Sequence, residues 1–370
     1  MCSQVIDIRQ SFASLRLEKK LRHREISKFL GITEAELIDA HVGMSKLTAM
    51  KSPHLARAIR LKQPYSELIS LMEGLGEVLA LTRNEYAVHE KVGTYQHVSK
   101  QGEVGVVHGN LIDLRLFYKH WEFAYAFEEG KGDALQRSIQ FFDEYGTAIH
   151  KIFLLPSSEH DYFEQLVDNL SDVNQDSGIH VQEKLQDTSS CNITLPEDFS
   201  LEEFKQDWSQ MADTHEFFDL LKKHGLNRLQ ALQSIGNHYA QALTQSSMRQ
   251  VFESAKEQKI PLMIFVGNRG ALQIHTGIIH RIVDVKAWFN ILDPGFNLHL
   301  DIEKIHQIWL VRKPSKDGVI TSMEFLDNQG EMIALVFGER HLGEPELAAW
   351  RHLVEGALED QFNQELSMAD

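Results

Sequence analysis

The sequence predicts an α+β protein made by internal duplication, each copy a helical segment followed by a large antiparallel β-sheet. Three observations carry this. Alternating apolar runs are separated by short turns without helical crossovers, which is the pattern of antiparallel strands. Helical periods are gathered ahead of those runs, so helices and strands are segregated. Finally, a gap-free shift of 184 positions lays residues 66–153 on 250–337. Asn84 then falls on Asn268, Ala87 on Ala271, Gly93 on Gly277, Leu114 and Leu116 on Leu298 and Leu300, and Phe153 on Phe337. SIQFFDEYGTAI (138–149) falls on SMEFLDNQGEMI (322–333) with Ser, Phe, Asp, Gly and Ile matched.

The elements follow in chain order. Apolar periodicity near 3.6 residues predicts helices over 14–30, 33–41 and 65–73, then 199–211, 214–224, 228–235 and 246–257. VLALTRNEYAVHEKVG and PLMIFVGNRGALQIHTGII each read as two strands around an Asn-containing turn. Alternation recurs in IDLRLF, FAYAF, SIQFF and AIHKIFL, and again in FNLHL, IWLVRK, SMEFL and MIALVF. DEYG and DNQG are hairpin turns. SDVNQDSGIHVQEKLQDTSSCN (171–192) is polar and aperiodic. It is the expected linker, giving a first repeat over 1–190, with the linker at about 171–190, and a second over 191–370.

Composition excludes several classes. A chain of 370 residues, 43% hydrophobic, has room for two domains and a sizeable core. No apolar run reaches the ~18 residues of a membrane span, so membrane insertion is not expected. MCSQVIDIRQSF lacks the charged start and apolar core of a signal peptide. Cys2 and Cys191 make no disulfide framework, which fits a reducing cytoplasm. A net charge of −16 argues against nucleic acid as a partner and requires local cations for any anionic ligand.

Motifs with established chemistry are few. GNRG (267–270) lies between two strands and reads as a hairpin turn rather than a phosphate loop. REISKFLGITEAELIDAHVG (24–43) has helix-turn-helix rhythm. Its second helix would offer Glu34, Glu36 and Asp39 to a groove, so two packed helices are the better reading. The pairs His275/His280 and His299/His306 lack further ligands at metal spacing and read as sheet-surface residues. His89, on a first-repeat strand, is matched to Gln273, so the shared fold does not require it and a ligand role is open.

MADTHEFFDLLKKHG (211–225) holds one histidine with no packing role. Asp213 and Glu216 have capping-box spacing, and Gly225 supplies the stop. Phe217, Leu220, Leu221 and His224 share one side of the wheel. His215 falls nearly opposite, with Phe218 and Lys222 beside it. A first-turn histidine off the core stripe leaves open what it faces.

DTHEFFDLLKKHGLNR, IFVGNRGALQIHTG, LVRKPSKDG and VFGER, with RNEYAVHEKVGTY, DLRLF and QRSIQFFD earlier, resemble the HemS/ChuS haem-utilisation proteins in order over nearly the whole chain. The resemblance implies a duplicated α+β fold and a cytoplasmic haem-binding protein of bacterial haem-iron acquisition. It implies haem as cargo or as the substrate of reductive, oxygen-dependent degradation with an external electron donor and O2. The alternative is a carrier delivering haem to a separate haem oxygenase. Implied partners are haem, the cytoplasmic side of a haem ABC transporter, a reductase or that oxygenase, with the chain a monomer or homodimer. The family's iron histidine falls on His215. Propionate cations fall on Arg115, Arg228, Lys313 and Arg340, so the clamp is expected to draw on both repeats. Phe117, Phe265 and Phe218 are expected as apolar wall. Where family members carry Tyr before Gly in the last strand, this chain has Phe337, which removes a hydroxyl from the site.

Overall fold

The computed structural model describes residues 2–52, 54–130, 132–184, 194–341 and 343–369. The boundary expected near 190, and Cys191, lie outside the described residues. Two compact units are formed. The first is Met1–Arg83, Glu90–Gln186 and Gly267–Gln273; the second is Asn84–His89, Asp187–Val266 and Ile274–Asp370. The hairpin turn of each half is therefore counted with the other unit.

The helices are α1 (Cys2–Glu18), α2 (His23–Leu30), α3 (Glu34–Asp39), α4 (Lys46–Lys51), α5 (Tyr65–Ser70), α6 (His160–Leu170), α7 (Leu201–Ser209), α8 (Glu216–Lys223), α9 (Arg228–Ile235), α10 (Gln245–Glu257) and α11 (Ala348–Ala369). The first-half strands are β1 (Ala56–Arg60), β2 (Val78–Arg83), β3 (Ala87–Gly93), β4 (Val98–Gln101), β5 (Val104–His108), β6 (Asp113–Phe117), β7 (Phe123–Glu129), β8 (Gln136–Phe142) and β9 (Ala148–Leu154). The second-half strands are β10 (Ala240–Leu243), β11 (Leu262–Gly267), β12 (Ala271–Gly277), β13 (Ile282–Val285), β14 (Trp288–Asp293), β15 (Phe296–Asp301), β16 (Gln307–Ser315), β17 (Gly318–Leu326) and β18 (Met332–Gly338).

The strands lie in two nine-stranded sheets. Inside the first unit run β1-β7-β8-β9-β2 and β6-β5-β4, and inside the second β10-β16-β17-β18-β11 and β15-β14-β13. These neighbours pair antiparallel. The expected α+β duplication is present, and its matched residues do matched work. The Asn84 side chain accepts from the Tyr86 and Ala87 amides and donates to the carbonyl of Ile333. Asn268 accepts from Gly270 and Ala271 and donates to the carbonyls of Arg83 and Ile149. Asp143 and Asp327 each tie down two amides of their hairpin turns. Gly146 and Gly330 take the left-handed φ, 71° and 77°, that those turns need.

Several helix expectations are corrected. The stretch 14–30 is not one helix: Lys20 turns left-handed at φ 55°, and α2 starts afresh at His23. The part of α1 before residue 14, and α4, α6 and α11, were not expected. In α11, Trp350, Leu353, Val354 and Ala357 are buried at helical spacing. Glu34 and Asp39 do not face a groove. Glu34 is buried against Lys151 at 2.7 Å and also pairs with Arg83. Asp39 is buried against Arg60 at 2.5 Å and accepts from Tyr125. His275 is not a surface residue either, being buried and stacked on Phe296 with centroids 3.6 Å apart.

The second unit's five-stranded run is packed on both faces. α10 and α11 cover one face, where Phe252, Trp350 and Val354 meet Leu262, Ile264, Phe325 and Val336. α7–α9 cover part of the other, where Phe204, Trp208, Phe217 and Leu221 meet Val311 and Leu326. The register fixes what else shares that second face. Lys313 opposes Ile320, Trp309 opposes Glu324, Glu324 opposes Leu335 and Ser322 opposes Phe337. Leu335 opposes Phe265, and Phe337 opposes Met263. Met263, Phe265, Leu335 and Phe337 remain only half-buried.

Candidate functional site

α8 begins at Glu216 rather than 214, with His215 as its N-cap. The expected capping box is displaced. Glu216 reaches back to the amide of Ala212 at 3.1 Å, not to Asp213. Asp213 Oδ1 accepts instead from the backbone amide of His215 at 2.9 Å and from its ring Nδ1 at 2.6 Å. The core side of the helix is as expected, with Phe217, Leu220 and Leu221 buried. The His215 side chain is 92% exposed. Among the described residues its Nε2 has no hydrogen-bond partner. The amide bond from His215, and then its ring contact, hold the Asp213 carboxyl below its ordinary range.

Arg228 is the first residue of α9. Asn227 caps that helix by accepting from Gln230 N at 2.8 Å, and Gln230 returns a bond to Asn227 N. The Arg228 guanidinium lies 5.0 Å from the Phe217 ring centroid and 5.7 Å from that of Phe218. Lys313 Nζ lies 4.2 Å from Phe217. Both cations meet one carboxylate, Glu324, at 2.5 Å each. Side-chain exposures are 11% for Arg228, 7% for Lys313 and nil for Glu324.

Burial pushes the Glu324 carboxyl up, but Lys313 and Arg228 outweigh it and hold the group at about 2. Burial lowers the Lys313 ammonium, and Glu324 works against that. Two cations thus share one buried carboxylate in a poorly solvated place. Arg340, just past β18, is half-buried, and among the described residues its Nε has no hydrogen-bond partner. Burial lowers its guanidinium, against Glu346, Asp317 and Asp213.

The second unit thus brings Phe218, Arg228 and Lys313 together around Phe217 and Glu324, while His215, three residues before Phe218, contacts Asp213. Phe265 and Phe337 pack on each other with centroids 5.2 Å apart at 67°. Arg115 and Phe117 belong to the first unit, on β6 opposite the fully buried Leu114 and Leu116, and Arg115 pairs with Asp113. His89 is fully enclosed, its ring 5.0 Å from Phe296. Sequence reasoning missed two participants. Asp213 was legible as a carboxylate two residues from the histidine, but was assigned to a cap. Glu324 was legible as a charge among apolar alternates of SMEFL, matched to Gln140 in the first repeat.

The second unit therefore carries an exposed imidazole, two half-buried aromatic rings packed on each other, and two cations on one buried carboxylate. The profile of the haemin-degrading HemS/ChuX domain matches residues 31–170 and again 225–357. The hemin transport protein HemS of Yersinia enterocolitica is 36% identical over 330 residues, 89% of this chain and 90% of that protein. The crystal structure of holo-PhuS, a heme-binding protein from Pseudomonas aeruginosa, is similar at TM-score 0.87 and 38% identity, covering 95% of this chain and 98% of that one. ChuS, described as an E. coli heme oxygenase, is similar at TM-score 0.78 and 32% identity, covering 94% and 98%. The chain belongs to the haemin-degrading HemS/ChuX domain family.

Proposed function

We propose that this protein binds one haem through its second unit, with His215 as the iron ligand, and serves haem-iron acquisition in the bacterial cytoplasm. The observation that carries the reading is a pair of cations, Arg228 and Lys313, on one buried carboxylate, Glu324, in the unit that also holds the exposed His215. Buried cations are costly unless anions pair them, and propionates are such anions. Among the described residues Arg340 Nε is a buried donor with no hydrogen-bond partner, which fits the same role. Phe218 is 64% exposed. Phe265 and Phe337, half-buried and packed on each other, offer further apolar surface of the kind a macrocycle covers.

Haem, once bound, supplies the oxygen chemistry of its own degradation, given an external electron donor and O2. The chain's task is to bind, orient and shield it. A transporter and a reductase are the partners that such a task requires. A second reading, a carrier handing haem to a separate oxygenase, is favoured by one residue. Phe337 supplies a ring without a hydroxyl, so it orders no water by hydrogen bonding.

The test is a haemin titration followed by reduction in air. One equivalent should bind per chain, and His215→Ala should shift the Soret band and weaken binding while the fold survives. An unchanged spectrum and affinity would remove His215 from the reading. Ascorbate or a reductase, with catalase present, should then bleach the Soret band of the wild type and release chelatable iron. A persistent Soret band with ready transfer to an added oxygenase would put the carrier in place of the enzyme.

A further inference from the structure

We propose that Asp213 is the positioning residue of the iron ligand: it accepts a hydrogen bond from His215 Nδ1–H and leaves Nε2 as the single ligating atom. The proposal rests on His215 being the ligand. Its geometry is independent of that reading. A neutral imidazole has one nitrogen that donates and one whose lone pair is available, and only the second can bind a metal. A carboxylate accepts only. The 2.6 Å contact to Asp213 Oδ1 therefore makes Nδ1 the donor. The same oxygen accepts the backbone amide of His215 at 2.9 Å, which ties the ring's orientation to the main chain.

The platform is itself anchored. Ala212, next to Asp213, donates its amide to Glu216 at 3.1 Å and accepts from the amide of Lys316 at 2.9 Å. The segment 212–216 is thus fixed to the β16–β17 turn at one end and to α8 at the other. His215 is 92% exposed, so packing does not set its ring. The aspartate is the side chain that does. A carboxylate on the far nitrogen also raises the basicity of a metal-bound imidazole. The bond should therefore strengthen the iron–nitrogen link and favour ferric over ferrous haem.

Three variants separate the outcomes. Asp213→Ala removes the acceptor. Asp213→Asn keeps a neutral acceptor and the turn, and guards against simple loss of local structure. His215→Ala tests the ligand itself. The readouts are the iron–histidine stretch of ferrous haem by resonance Raman, the midpoint potential and haemin affinity. Asp213→Ala should lower the stretching frequency, move the midpoint positive and weaken haemin binding about 10- to 100-fold. Asp213→Asn should fall between it and the wild type. If His215→Ala abolishes the iron–histidine band while both Asp213 variants keep the wild-type band and midpoint, the positioning role is overturned and the ligand assignment stands. If His215→Ala leaves band and Soret unchanged, the ligand assignment fails and this role fails with it.

Discussion

At the residue scale the deciding group is Glu324. Its side chain is fully buried, touches Arg228 and Lys313 at 2.5 Å, and receives the Ser322 hydroxyl at 3.0 Å. Replacing it with glutamine keeps the shape but removes the carboxylate that Arg228 and Lys313 share, leaving both cations without it. Breaking a buried pair from one side costs about 3–5 kcal/mol. Glu324→Gln should lower the urea stability of the haem-free protein by that order. Haemin, which carries two carboxylates of its own, should restore more stability to the variant than it adds to the wild type. Equal gains in the two proteins would show that the propionates do not approach this cluster. The first copy cannot stand in for it. The positions matched to Lys313 and Glu324 are Glu129 and Gln140. Glu129 is committed to Arg16, His23 and His54.

At the element scale, the two short helices α3 and α9 show how one plan carries two chemistries. Each follows a left-handed glycine, Gly31 at φ 67° and Gly225 at φ 62°. Each opens with a reciprocal capping box, Thr33 with Glu36 and Asn227 with Gln230. Their first residues differ in sign. Glu34 reaches Lys151, and Arg228 reaches Glu324. Removing either cap should cost about 1 kcal/mol. Thr33→Ala and Asn227→Ala should therefore lower urea midpoints to a similar degree. Only Asn227→Ala should also weaken haemin binding, because α9 starts with Arg228. Loss of affinity in Thr33→Ala as well would show that the cap acts through general destabilisation rather than through its cation.

At the scale of the whole molecule, the first unit hides histidines that the unfolded chain would expose. Burial drives His41 down to about 3, against a bond from its Nδ1 to the Leu37 carbonyl. Burial drives His150 to about 3 as well, and its ring joins Thr82 at 2.8 Å to Tyr95 at 2.5 Å. A histidine whose folded value lies below its unfolded value of 6.5 contributes stability that is complete above 6.5. That stability is lost as pH falls toward 3, because only the unfolded chain takes up the proton. For two such groups the loss between pH 7.5 and 5 is about 4 kcal/mol. The urea midpoint of the haem-free protein should fall steeply over that range. A flat profile would mean that these rings accept protons in place.

Much of the fold was legible because it depends on local rules. Alternation, Asn and Asp turns and the 184-residue repeat are written in neighbouring residues, and they produce the same hydrogen bonds twice. The face that His215 turns outward followed from the helical period alone. The break at Lys20 was not legible, because nothing in an otherwise helical run demands a left-handed lysine. Nor was the partner of Asp213 legible, since its spacing satisfied a cap equally well. The sequence by itself determined the α+β duplication, the outward histidine and the pool of cations from which a site could be drawn. Only the tertiary structure decided that Arg228 and Lys313, 85 positions apart in the chain, share one buried carboxylate. It also decided that Glu34 and Asp39 are consumed inside the first unit. The reason is physical: periodicity says which way a side chain points, but a charge is balanced by whatever folding brings within a few ångströms of it.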